Sequence, residues 1–178
     1  MAYCPPKTPA TGCLDVIIQE SIILPNFNRQ QSYNEFTVCG INNYVTRTEI
    51  IDSRWSGSGI GIIDFVGSPS EQTPGSFVNS DVKYIRITNI PTSPTFASIY
   101  IIKTNKESAL FKIEPGRSLV LSSDEFDASS TQDYVDETYA DKQYFDDFLY
   151  MSEIKAKAGD TNGTFTGSIK IEYVVASA

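Results

Sequence analysis

Apolar and polar positions alternate with a period of two along most of this chain, and that alternation predicts half-buried strands. Val16 to Leu24 is a β-branched apolar run. In Ser32 to Cys39, residues Tyr33, Glu35, Thr37 and Cys39 fall on one face, with Asn34, Phe36 and Val38 on the other. Tyr44 to Ile51, Gly59 to Val66, Val82 to Ile90, Phe96 to Lys103 and Ala109 to Ile113 read as further strands, as do Leu119 to Leu121 and Tyr150 to Ala158. In Thr164 to Val175 the apolar face is Phe165, Ile169, Ile171, Tyr173 and Val175. The opposite face is Thr166, Ser168, Lys170 and Glu172.

Turn-forming residues separate these runs: Asn42 and Asn43, Pro91 to Pro94, Asn105, Pro115 and Gly116, and Asp160 to Gly163. Asn162-Gly163 is a two-residue hairpin signal. About ten short strands punctuated in this way predict an all-β fold, an antiparallel sandwich that is jelly-roll-like or immunoglobulin-like. One such domain is expected over residues 14–178. Residues 1–13 contain Pro5, Pro6 and Pro9, which lack amide donors and cannot complete a central ladder, so this segment reads as an extended arm. Its large apolar side chains are chiefly Tyr3 and the adjoining Leu14. The arm is therefore expected to gain its burial from a neighbouring subunit, with Tyr3, Pro5 and Pro6 as contacts.

One stretch breaks the pattern. Residues 124–149 carry nine carboxylates against a single base, Lys142, interleaved with Tyr134, Tyr139, Tyr144, Phe145 and Phe148. The segment reads as a long acidic loop with a short helix near 140–149.

Composition narrows the chemistry. The chain has 178 residues and a formal net charge of −8, so its surface as a whole repels phosphates and no nucleic-acid partner is expected. There is no histidine, which removes the commonest general base and metal ligand. The three cysteines, Cys4, Cys13 and Cys39, have no C-x-x-C spacing. They read as reduced thiols, with a Cys4–Cys13 bridge as the other pairing considered. The sequence from Met1 to Pro6 lacks a basic segment followed by an apolar run, so no signal peptide is expected. The longest apolar runs fall far short of the roughly 20 residues of a membrane helix, and no membrane partner is expected.

Candidate catalytic or ligand motifs fail on spacing. Asp124 to Asp127 lacks the ligand spacing and glycine of a calcium loop. Gly57 to Gly61 fits neither phosphate-binding pattern. No Ser or Cys has a histidine to activate it. Carboxylate pairs suited to glycoside hydrolysis arise by chance among 22 acidic residues. No enzyme activity and no cofactor is expected. The ten Tyr and ten Phe are more than one sandwich core requires, and Tyr is favoured at interfaces. Trp55, Tyr134, Tyr139 and Tyr144 join Tyr3, Pro5 and Pro6 as candidate interface residues.

Two stretches carry a family likeness: Val82–Ile90 (VKYIRITNI) with Phe111–Leu121 (FKIEPGRSLVL), and Ile154–Ala158 (IKAKA) leading to Ile171–Ser177 (IEYVVAS). This layout resembles small β-sandwich structural proteins of tailed-bacteriophage virions, over about residues 80–178. There the last two segments form a closing hairpin. The resemblance implies a non-enzymatic virion component, on the capsid surface or the tail. It would be made in the host cytoplasm, self-assemble into a homo-oligomer and contact other virion proteins. A different class, a carbohydrate- or receptor-binding sandwich contacting a host surface glycan, is the competing expectation. It rests on the aromatics and acids of the long loops.

Overall fold

The computed structural model describes residues 12–23, 29–53, 59–106, 108–122, 148–159 and 165–178. Two β-sheets pack face to face, and a separate two-stranded ribbon lies outside them. The ribbon is β1 (Gly12–Ile23) paired antiparallel with β2 (Arg29–Ile41). The remaining strands are β3 (Asn43–Asp52), β4 (Ile60–Val66), β5 (Ser76–Val78), β6 (Val82–Asn89), β7 (Ala97–Lys103), β8 (Ser108–Ile113), β9 (Ser118–Ser122), β10 (Met151–Ala158) and β11 (Ser168–Ser177). One sheet has the order β5-β4-β10-β7-β8 and the other β3-β11-β6-β9. All pairings are antiparallel except β4 with the short β5.

The core follows from the alternation. Ile169, Ile171, Tyr173 and Val175 of β11 face inward together with Ile85 and Ile87 of β6, and meet Ile99, Ile101, Ile154 and Ala156 of the facing sheet. Ile85, Ile87, Ile99, Ile101, Ile154 and Ile171 are fully buried. Truncating any one to Ala should cost about 2–5 kcal/mol by lost transfer energy and cavity formation.

Chain connections differ from expectation in one respect. The 91–96 turn, the Pro115–Gly116 turn and the 159–167 connection each lead from one sheet to the other. The segment after β10 is therefore not a hairpin, although Asn162-Gly163 and the family likeness predict one. β10 pairs with β4 and β7, whereas β11 pairs with β3 and β6. Both strands carry an apolar face that the shared core needs, and placing them in opposite sheets buries both. The corner at β6 is held by Asn89, wholly buried, whose Nδ2 donates to the carbonyls of Thr95 and Ile113 at 3.0 Å each.

Two boundaries also move. Gly12 and Cys13, assigned to the arm from sequence, begin β1. Residues 14–23 and 29–41, expected in the sandwich, are in the ribbon. Of the helix expected at 140–149, Phe148–Tyr150 forms a single 3-10 turn; residues 140–147 lie outside the described residues.

Candidate interaction surface

The ribbon is seated on the outer face of the four-stranded sheet. Register places Leu14, Val16, Val38 and Phe36 on one ribbon face. They pack with Ile41 against Val174 and Ala176 of β11, Tyr84 of β6 and Val120 of β9. Val38 is completely buried there. This small second core runs from β11 across β6 to the edge strand β9, so the ribbon is laid across the sheet rather than along it.

Gly40 sets the ribbon's angle. Gly12 opposes Ile41 and Cys13 opposes Cys39, which leaves Gly40 as the extra residue of a bulge. Its φ of +82° is a conformation that L side chains resist. Asn42 then ties the ribbon to the sheet, its amide donating to the Ser177 carbonyl at 2.9 Å.

Opposite the sheet-facing side, Cys13 and Cys39 form a disulfide across the two strands. This corrects the expectation of reduced thiols and of a Cys4–Cys13 pairing. Antiparallel register brings Cys39 directly opposite Cys13, and no nearer position in sequence could show it. Cys4 lies outside the described residues. Next to the bridge, Thr37 Oγ1 donates to Asp15 Oδ1 at 2.8 Å.

Beyond Val16 and Phe36 the described side chains of the ribbon, at 17–19, 31 and 33–35, are exposed. Ile18 continues the sheet-facing stripe and is 39% exposed. On the other face Ile17 is 56% and Tyr33 61% exposed. The Tyr33 hydroxyl donates to Glu35 Oε2 at 2.9 Å, and that bond to a carboxylate raises its pKa. An isolated two-stranded ribbon is marginally stable in water, so a partner surface is the natural complement for this half.

The sheet beneath has its own bare strip. On β3 the outward positions are Tyr44, Thr46, Thr48 and Ile50, with Tyr44 55% and Ile50 68% exposed. Between strip and ribbon, Arg86 Nη2 bonds Glu172 Oε1 at 2.8 Å. Both are over a third exposed, so the pair contributes at most about 1 kcal/mol.

A cavity of about 480 Å³ opens at the inner edge of β3, lined by Asn43, Val45, Arg47, Gln72, Gly75 and Phe77 among others. Gly75, at φ +98°, leaves room for Arg47, whose Nη1 would stand 3.1 Å from a Cβ there. Burial raises the pKa of Tyr173, and a hydrogen bond with Arg47 acts against that rise. The lining holds no carboxylate, and its one aromatic, Phe77, is buried, so it offers neither an acid pair nor a platform for a sugar ring. Among the described residues no group of three Cys, Asp or Glu side chains converges to hold a metal.

The residues singled out from sequence, Tyr3, Pro5, Pro6, Trp55, Tyr134, Tyr139 and Tyr144, all lie outside the described residues, as do Asp124 to Asp127. The ribbon contacts were missed because Val16–Leu24 has the same apolar signature as a core strand. The one available signal was its pairing with the largely polar Ser32–Cys39 stretch. No family model matches this sequence, and no curated protein matches it.

Proposed function

We propose that this chain is a non-enzymatic structural component of a bacteriophage virion, at the capsid surface or on the tail, that self-assembles and contacts other virion proteins. The observation that carries the reading is the ribbon. It is anchored by Val38 at one end, clasped by a disulfide, and exposes Ile17, Ile18 and Tyr33 beyond the anchored part. An element built in this way gains its stability from a neighbour, and repeated copies in closed symmetry are the common solution. The Cys13–Cys39 bridge is solvent-exposed. Such disulfides do not last in a reducing cytosol and persist on particles outside the cell, which favours a protein made inside and used outside.

The test is compositional. Virus particles banded from a lysate of cells that make this chain should contain its peptides at a fixed ratio to the shell protein. Particles without it would refute the virion assignment, whatever the isolated chain does.

A further inference from the structure

We propose that the cavity at the inner edge of β3 is a binding site for a carboxylate group of single negative charge, held by the Arg47 guanidinium. The carboxylate is that of a free organic acid or of a peptide C-terminus. The proposal goes beyond the structural role above and does not depend on it.

The site lies on a side of the sandwich that the sheets leave open. β3 is an edge strand of one sheet and β5 of the other. In the β3–β11 register Asn43, Val45 and Arg47 stand opposite Ser177, Val175 and Tyr173, and directly paired residues share a face. Val175 and Tyr173 belong to the main core, so Val45 and Arg47 are on the inward side of an edge strand. The facing wall is the 69–77 segment, which ends in the buried Phe77 of β5. The space between them, about 480 Å³, is within the range of about 300–1,000 Å³ usual for small-ligand pockets.

Both walls are fixed by the fold itself. Ser76 Oγ donates to the Thr73 carbonyl at 2.9 Å and accepts from the Thr73 amide at 2.8 Å. Gln72 Nε2 donates to the Ser76 carbonyl at 3.2 Å, and Pro69 and Pro74 fix φ at two further positions. Arg47 is held at two points. It hydrogen-bonds Tyr173, a buried residue, and its Nη1 takes up room that only a glycine at position 75 leaves. A guanidinium placed in advance loses less entropy when a ligand binds.

The donor set selects the ligand. Arg47 is the one charged residue among the described residues of the lining, and a guanidinium offers five donors and no acceptor. The bond to Tyr173 uses part of that capacity, and the remainder matches the two oxygens of a carboxylate. Val45, Pro69 and Pro74 supply apolar surface beside it for the body of the ligand. Glu49 and Asp64 lie outside the lining but act on Tyr173, and the chain as a whole carries −8. That surrounding negative charge disfavours a dianion such as phosphate and leaves a monocarboxylate as the better match.

The test is two-dimensional NMR of the full isotope-labelled chain with its disulfide intact. The probes are butyrate, N-acetyl-alanyl-valine with a free C-terminus, and the same peptide as its C-terminal amide. At least one carboxylate should shift the Arg47 Nε signal and the amides of 43–47 and 72–77 saturably. Arg47 is exposed, so the expected Kd is modest, about 0.1–1 mM. A response to butyrate alone assigns the site to a small acid, and a response to the peptide alone assigns it to a chain end. The amide should bind at least about tenfold more weakly than the free peptide or butyrate, as should any carboxylate to Arg47→Gln. Arg47→Lys keeps the charge without the fork and should fall between. Inorganic phosphate at about pH 8, where it is a dianion, should bind more weakly than the carboxylate. No saturable shift from either carboxylate up to about 10 mM would overturn the proposal. So would an amide that binds as well as the acid, tighter binding of phosphate, or parent-like binding by Arg47→Gln. If Arg47→Gln does not fold, the comparison of acid with amide on the parent chain decides alone.

Discussion

Cys13 and Cys39 stand directly opposite each other across the ribbon, Cα atoms 4.1 Å apart and sulfurs bonded. The bond closes a loop with a sequence separation of 26, and chain entropy alone assigns such a closure about 3.5 kcal/mol. The ribbon is a sheet of its own, so the effect should be local. Reduction is expected to speed hydrogen exchange in β1 and β2 while amides of β6, β7, β10 and β11 stay slow. Thiol counting on the unfolded, unreduced chain should find one free cysteine, Cys4; three would contradict the pairing.

Gly40 tests the bulge. No atom lies within 4 Å of a Cβ built there, so Gly40→Ala adds no clash and probes backbone strain alone. The substitution should destabilise the ribbon by about 1 kcal/mol through its positive φ, read as faster exchange in β1 and β2. A neutral or stabilising result would mean that the bulge is not at this residue.

Asn89 should be the most sensitive polar position. Asn89→Leu keeps the volume but leaves the Thr95 and Ile113 carbonyls without their donor in the interior. Chemical denaturation should show a loss of about 2–5 kcal/mol, roughly 1–3 for each orphaned group with partial relaxation. A change below about 0.5 kcal/mol, the size usual at surfaces, would contradict the corner role.

These outcomes show what was legible beforehand. Alternation in β6 and β11 located the core because a period of two is forced wherever one face is dry. It identifies a face, however, and not a neighbour. Asn162-Gly163 carries the composition of a hairpin, yet β10 and β11 lie in different sheets, because burial of both apolar faces outweighs a local turn preference. β5 was invisible, having three residues and pairing in parallel. The apolar run of Val16–Leu24 marks a strand, and residues 16–23 are one, but it lies in the ribbon and not in the sandwich, since nothing local distinguishes an apolar strand that covers a sheet from one within it. The disulfide needed the register, which sequence spacing does not supply.

Alkaline stability follows from two buried tyrosines. Burial raises the pKa of Tyr84, beneath the ribbon, and of Tyr173, in the main core, above the ordinary tyrosine value of about 10. The unfolded chain therefore releases these protons first as pH rises. Stability should be constant below pH 10 in this respect and fall above it, until the folded groups ionise as well. Denaturation midpoints of Tyr173→Phe should decline less steeply above pH 10 than those of the parent. Parallel declines would show that Tyr173 is not among the groups responsible.

Self-assembly of repeated copies is the centre of this account, and the mass of the native particle measures it most directly. Native mass spectrometry of the purified full chain, across rising concentration and without reductant, should show a discrete multimer replacing the 19.7 kDa monomer. A monomer at every concentration would contradict the account.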